Sequence, residues 1–158
     1  MLSKSATMLL GLINQRPLNP YEITKQLQIM NVHRWYNIAN STVYATLKVL
    51  EKKEYICGNI EKGGNMPDKT VYSLTDKGKQ EFLKTLRQSI LSFDYDTNIF
   101  SIAAFFIDAL DDPQSLLSQR LMLLNNYLKG IDLQIATIKG DIPSIAEANI
   151  ERSRNCGY

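Results

Sequence analysis

The stretch from Ser41 to Gly78 constrains the fold of this chain more than any other. Apolar residues recur there at helical spacing and predict a helix whose buried face is formed by Val43, Leu47 and Leu50. The opposite face is small and basic, and it carries Ser41, Ala45, Lys48 and Lys52. Asn40 is predicted as the N-cap of this helix. A face of this kind lets a helix approach a phosphate-lined groove closely.

A β-hairpin is predicted directly after this helix. Tyr55 to Lys62 and Lys69 to Leu74 are strand-like runs, and residues 63–67 between them supply turn residues and a proline stop. Thr75 is placed to cap a further helix that opens with Asp76, where the helix dipole favours an acid. The order helix, hairpin, helix is that of a winged helix, with the first helix as the recognition helix and the hairpin as the wing.

Two shorter helices are predicted before the recognition helix. Ser5 to Gln15 has apolar residues at helical spacing. Asn19 to Glu22 then combines an N-cap, a proline at the first helical position and a glutamate that completes a capping box. His33 has no second His or Cys nearby, so a surface or half-buried imidazole is favoured over a metal ligand. Three residues before the recognition helix are expected to pack beneath the helix pair: Trp35, Tyr36 and Ile38.

Two segments of this region resemble the signatures of PadR-type winged-helix transcriptional regulators. These are Ser41 to Glu51, with a tyrosine inside the recognition helix, and Val71 to Gly78, with the pattern Tyr-x-Leu-Thr-x-x-Gly. The resemblance spans roughly residues 6–80 and implies a DNA-binding domain. The chain departs from the family's pattern at Pro20, which is harmless at a first helical position, and at Glu54, where such proteins usually have Gly. Because a left-handed Glu is strained relative to Gly, we expect the end of the recognition helix to differ here.

Beyond the wing the chain is predicted to be helical. Asp76 to Leu91 continues as a helix with Phe82, Leu83, Leu86 and Ile90 as its apolar set. The aromatic-rich run from Phe93 to Leu110 is apolar over too much of a helix surface to be solvated all round. We therefore expect it to be buried.

A long apolar stripe follows in the next helix, for which Asp112 is the predicted cap and Pro113 the first residue. Gly140 and Pro143 are expected to end this helix, and residues 142–158 to form a last short amphipathic segment. The stripe alternates spacings of four and three and predicts a coiled-coil seam for dimerisation, formed by Leu117, Leu121, Leu124, Leu128, Ile131, Ile135 and Ile138.

The stripe could also pack inside its own chain, because Leu116, Leu123 and Tyr127 add a second apolar edge. A helical C-terminal half of this length resembles the larger PadR subgroup, which includes AphA-like regulators, and the resemblance implies that this half makes the dimer. The predicted fold is mainly α with a small β-hairpin: a winged helix-turn-helix DNA-binding domain over residues 1–80 and a helical dimerisation or effector domain over residues 81–158.

Composition and motifs narrow the possible functions. With a single His and no phosphate-binding loop, nucleophile elbow or paired-carboxylate motif, the sequence predicts neither an enzyme nor a bound cofactor or metal. The net charge of +2 is too small to indicate nucleic acid by itself. Cys57 and Cys156 form no close pair, which is typical of a reduced, cytoplasmic compartment. No apolar run approaches the length of a membrane span.

The favoured hypothesis is a homodimeric transcriptional regulator, a repressor, that binds operator DNA and responds to a small molecule or a stress signal. The recognition helix would meet the major groove or its phosphates, and two lysines of the wing would reach the flanking backbone. The predicted DNA-binding residues are Asn40, Ser41, Thr42, Tyr44, Ala45, Lys48, Lys52, Lys62 and Lys69.

Two alternatives remain open at this point. The exposed winged-helix face could instead bind another protein. The chain could also be chiefly a sensor of a small hydrophobic or aromatic effector, although ordinary core packing is the favoured interpretation of aromatic residues at helical spacing. The pocket walls of such a sensor would be Trp35, Phe93, Phe100, Phe105 and Phe106.

Overall fold

The computed structural model describes residues 1–34, 36–62, 67–92 and 97–155, with side chains described up to residue 138 except at 33, 97 and 98. It is mainly helical with one antiparallel hairpin, which confirms the predicted fold class. The order of its elements is α1 (Lys4–Gln15), α2 (Pro20–Ile29), a 3-10 turn (Val32–Arg34), α3 (Asn40–Lys52), β1 (Ile56–Glu61), β2 (Lys69–Leu74), α4 (Asp76–Leu91), α5 (Thr97–Phe105), a second 3-10 turn (Ile107–Ala109) and α6 (Pro113–Asn155).

Helix α1 is the centre of the core. Its residues from Ala6 to Ile13 are all buried, because α3, α4, α5 and β2 pack around it. A helix that is apolar on every side is stable only when it is surrounded in this way. Gly11 provides room on one side, since a Cβ there would overlap the ring of Phe106 from the segment after α5.

The hairpin pairs β1 with β2 from Ile56 opposite Leu74 to Glu61 opposite Lys69. The segment between α1 and α2 pairs with β2 through an isolated antiparallel bridge. The Leu18 N–H donates to the Tyr72 carbonyl at 3.1 Å, and the Tyr72 N–H donates to the Leu18 carbonyl at 2.9 Å. The wing is therefore attached to the helices at its base. The turn was predicted over residues 63–67, of which 63–66 lie outside the described residues.

Helix α3 ends in a Schellman motif. The Tyr55 N–H donates to the Leu50 carbonyl at 2.9 Å, and the Glu54 N–H donates to the Glu51 carbonyl at 2.8 Å. Glu54 adopts the left-handed conformation, with φ 61°. The expectation that this junction would differ from a glycine-ended helix was therefore wrong: the backbone keeps the left-handed turn even though the residue has a side chain.

Three predicted helix starts are confirmed by hydrogen bonds. Asn19 and Glu22 form a capping box, each side chain accepting from the other's N–H at 3.0 Å. The Thr75 hydroxyl accepts from the Gly78 N–H at 3.0 Å, and Asp112 accepts from the Ser115 N–H at 3.1 Å.

Two predicted helix boundaries were wrong. Asn40 is the first residue of α3 rather than its N-cap; the cap is Ala39, which makes no side-chain hydrogen bond. Helix α6 continues through Gly140 and Pro143 to Asn155, so residues 142–155 belong to it and are not a separate segment. One proline removes a single N–H from the hydrogen-bond ladder, and a helix of 43 residues has many others.

The chain divides into two compact units, Met1–Leu116 and Leu117–Tyr158. Helices α4 and α5 pack against α1 and therefore lie in the first unit. From the sequence, the residues after 80 were predicted to belong to the second domain. The division of function between residues 1–80 and 81–158 stays a prediction. Among the described residues, no helix is long and apolar enough to cross a membrane.

Candidate nucleic-acid interface

Helix α3 has two faces of opposite character. Val43, Leu47 and Leu50 are buried in the core, as their spacing predicted. This fixes the rotation of the helix and turns its small and basic face to solvent. Thr42 is half-buried, and the other predicted contact residues of this helix are exposed: Asn40, Ser41, Tyr44, Ala45, Lys48 and Lys52. Their contact with DNA stays a prediction.

The lysines of this surface differ in their partners. Within the described residues, Lys48, Lys52 and Lys62 form no ion pair. Lys69, by contrast, lies 3.3 Å from the carboxylate of Glu61, the residue opposite it in the hairpin. The first three lysines can therefore meet a phosphate without leaving a carboxylate, whereas Lys69 has to exchange one partner for another.

The wing lies close to the last turn of α3 at Gly58. A Cβ on this residue would lie 2.9 Å from Oε1 of Glu51 and 3.1 Å from the ring of Tyr72. Burial, and then the charge of Glu51, raise the pKa of the Tyr72 hydroxyl, so this phenol stays neutral. The absence of a side chain at Gly58 lets β1 pack closely against the last turn of α3.

Helix α2 contributes a polar strip beside the first turn of α3. Tyr21 is 69% exposed, and Thr24 and Gln28 follow it on the same side of the helix at spacings of three and four. Thr24 and Gln28 line the same cavity as Asn40. Sequence reasoning missed this strip because it considered only the inward stripe of α2, although the polar residues that flank Ile23 and Leu27 could have indicated it.

The predicted aromatic pocket is not assembled as one site in the described residues. Phe106 is buried in the core and contacts the ring of Phe82 edge-on, with centroids 5.9 Å apart. Phe105 is partly exposed beside it, Phe100 is half-buried, and Trp35 and Phe93 lie outside the described residues. Phe105 and Phe106 do share a cavity of about 210 Å³ with Gly11 and Asn14 of α1. The larger pocket stays a prediction.

The stripe of α6 is exposed along the described part of the helix. Leu124 and Ile131 are half-buried, and the other five predicted dimerisation residues are between 42% and 61% exposed: Leu117, Leu121, Leu128, Ile135 and Ile138. Within the chain, these side chains leave a large apolar surface in contact with water. Such surfaces usually mark a contact with another molecule.

No group of three or more metal-ligating side chains lies among the described residues.

The chain is similar to known transcriptional regulators. The profile of the Transcriptional regulator PadR-like family matches residues 9–84, a range that contains α2, α3 and the whole hairpin. This places the winged-helix region, residues 9–84, in the PadR-like family. Because that family consists of transcriptional regulators, the prediction that the chain is not an enzyme is confirmed.

Individual relatives of this PadR-like chain match over different lengths. The negative transcriptional regulator PadR of Bacillus subtilis (strain 168) is 27% identical over 107 residues, which are 68% of this chain and 58% of that protein. The chain thus spans little more than half the length of this curated relative. The crystal structure of Bacillus subtilis PadR in complex with operator DNA matches with a TM-score of 0.49 and 25% identity, over 86% of this chain and 76% of that one. A transcriptional regulator from Clostridium thermocellum matches with a TM-score of 0.45 and 26% identity, over 51% of this chain and 74% of that one.

Proposed function

We propose that this PadR-like chain is a cytoplasmic, homodimeric repressor that binds operator DNA and releases it in response to a small molecule. The observation that carries the proposal is the exposed face of α3, where small residues adjoin two lysines that have no carboxylate partner among the described residues. Small side chains permit close approach to a groove, and free lysines supply the attraction to phosphate.

The roles within this face follow from side-chain chemistry. Lys48 and Lys52 neutralise phosphates, which gives affinity without sequence preference. Asn40, Ser41 and Thr42 lie in the first turn of α3 and carry both donors and acceptors, so they are the residues assigned to base edges. On the wing, Lys62 reaches the flanking backbone, and Lys69 does so after it leaves Glu61.

The homodimer is supported by the stripe of α6. A second copy of the same helix offers a complementary apolar surface, and a repeat of four and three is the spacing at which two helices interlock. Two recognition helices held in one particle bind two half-sites, which raises the affinity far above that of a single winged helix.

The proposal is tested by a salt titration of binding to the DNA upstream of the protein's own gene, with a scrambled duplex of equal length beside it. We expect tighter binding to the upstream DNA, and a linear fall of log affinity with log salt concentration whose slope reports the number of phosphate contacts. Equal affinity for both duplexes would contradict an operator-specific regulator. Binding that is absent at low salt would favour the alternative in which this face binds a protein.

A further inference from the structure

A cavity of about 370 Å³ lies between α2, the segment after the first 3-10 turn and the first residue of α3. Thr24 and Gln28 line it from α2, Tyr36 and Asn37 from the connecting segment, and Asn40 from α3. The Tyr36 wall is held in place by a hydrogen bond of 2.9 Å between its hydroxyl and Ser5 of α1. The volume lies in the range of small-molecule sites in proteins.

The lining of this cavity determines what it can bind. Its apolar part is formed by Leu27, Val32 and Ile38, and no charged side chain is among the described residues that line it. The carboxamides of Gln28, Asn37 and Asn40 have no hydrogen-bond partner within the described chain. Each carboxamide offers both donors and an acceptor. The described lining offers a charged molecule no opposite charge, whereas a neutral molecule with an apolar body and amide-like groups would be matched.

We propose that this cavity is the effector site of the regulator and that it takes an uncharged amphipathic molecule bearing both a hydrogen-bond donor and an acceptor. The site differs from the aromatic pocket predicted around Phe105 and Phe106. The part of the proposal that concerns regulation rests on the proposed DNA-binding function.

Occupation of the cavity is coupled to DNA binding through α3. Asn40 both lines the cavity and begins the helix that faces the groove. Ala39, the N-cap, provides no side-chain acceptor to fix the first turn. A molecule held between α2 and Asn40 therefore competes for Asn40 and shifts the first turn of α3. By thermodynamic linkage, an effector that binds the DNA-free form more tightly than the DNA-bound form weakens DNA binding by the ratio of those two affinities.

Binding is tested with benzamide and its anionic counterpart benzoate, each titrated into the full chain and followed by amide chemical shifts in NMR. We expect saturable shifts from benzamide that cluster on Thr24, Gln28, Asn37 and Asn40, and no such cluster from benzoate. Shifts that are absent, that spread over the surface, or that are equal for the two probes would overturn the assignment of the site.

Coupling to DNA is tested by covalent occupation, which does not depend on the affinity of a free probe. In a Cys57→Ser, Cys156→Ser background, Asn37→Cys is labelled with benzyl methanethiosulfonate, with methyl methanethiosulfonate as the size control. Ile29→Cys provides the matched position, because Ile29 is an exposed residue of the same helix as Thr24 but does not line the cavity.

We expect the benzyl label at position 37 to weaken DNA binding at least tenfold, and the methyl label there and the benzyl label at position 29 to leave it within about twofold. Equal losses at the two positions, or no loss at position 37, would overturn the regulatory role. The unlabelled variants are measured first. If neither they nor the parent bind DNA, the proposed function fails while the benzamide result still decides whether the site exists.

Discussion

The ammonium of Lys77 lies 2.9 Å from the carboxylate of Glu54, and this contact joins the first turn of α4 to the left-handed residue that follows α3. The hydrogen bond from Lys77, and then its charge, lower the pKa of the Glu54 carboxyl from its ordinary value of 4.5. Both side chains are exposed, so the pair is screened by solvent and contributes little to stability.

The pH dependence of this pair has a defined sign. Because the folded pKa of Glu54 is lowered, the stabilisation is present above pH 4.5, the ordinary value, and is lost as the pH falls through the lowered pKa. We expect Glu54→Gln, which removes the charge of the carboxylate and keeps Lys77, to reduce stability slightly at neutral pH and not at all in acid, as measured by urea unfolding at a series of pH values. A difference between parent and variant that persists unchanged in acid would contradict this account.

Replacing Glu54 by glycine should stabilise the protein. The backbone at this position is left-handed, with φ 61°, where a side chain is strained and glycine is not. We expect Glu54→Gly to raise the melting temperature by a few degrees even though it removes the ion pair. Glu54→Ala is the matched control, since it removes the same pair but keeps a Cβ, and it should not raise the melting temperature. A gain of equal size in both variants would assign the effect to the charge instead.

Gly78 is predicted to tolerate no side chain. It lies in the first turn of α4, and a Cβ there would overlap the carbonyl oxygen of Tyr55, a backbone atom that cannot rotate away. We expect Gly78→Ala to cost about 2 kcal/mol of unfolding free energy in denaturant titrations. Gly130→Ala is the comparison, because no atom lies within 4 Å of the added methyl and α6 gains about 0.5–1 kcal/mol of helix propensity. A neutral Gly78→Ala would mean that α4 can move away from Tyr55 at little cost.

Elements with strong local signals could be predicted from the sequence. The ranges of β2 and α4 were predicted as they are observed, because alternation, a threonine cap and a clear apolar period all agree there. Asn40 was misassigned because the N-cap is defined by backbone conformation, and a polar residue next to the true cap gives the same signal. The end of α6 was misassigned because Gly and Pro lower helix propensity locally without forcing a long helix to stop.

The candidate DNA-binding surface and the proposed effector cavity were predictable from the sequence only in part. Which residues of α3 face solvent follows from the period of the helix, and their exposure agrees with it. The packing of Phe106 against Gly11, and the cavity between α2 and Asn40, depend on which elements meet in three dimensions. Neither relationship leaves a local pattern in the sequence.

Removing the charge of Lys48 should weaken DNA binding without unfolding the protein. Lys48 is exposed, lies opposite the buried face of α3 and has no ion-pair partner among the described residues. We expect Lys48→Ala to reduce the salt slope by about one for each phosphate that a subunit no longer neutralises. Lys84→Ala removes the same charge from α4 and should leave the slope unchanged. Unchanged affinity and slope for Lys48→Ala would show that Lys48 does not touch the DNA.

The last prediction concerns the stripe of α6. Leu124 and Leu128 are consecutive seam positions, and Leu128 is 55% exposed within the chain. Two carboxylates at these positions would have to be buried in the contact between copies, at a large desolvation cost. We expect the double variant Leu124→Glu, Leu128→Glu to sediment as a monomer and to lose specific DNA binding although every recognition-helix residue is intact.

The matched control is Gln119→Glu with Asn126→Glu, which adds the same charge on the side of α6 opposite the stripe and should stay dimeric. Far-UV circular dichroism of both double variants separates loss of the dimer from loss of the fold. If the Leu124→Glu, Leu128→Glu protein folds and remains a dimer, the seam lies elsewhere. If it is a folded monomer that still binds the upstream DNA as tightly as the parent, two linked half-sites are not the source of affinity, because one winged helix then suffices.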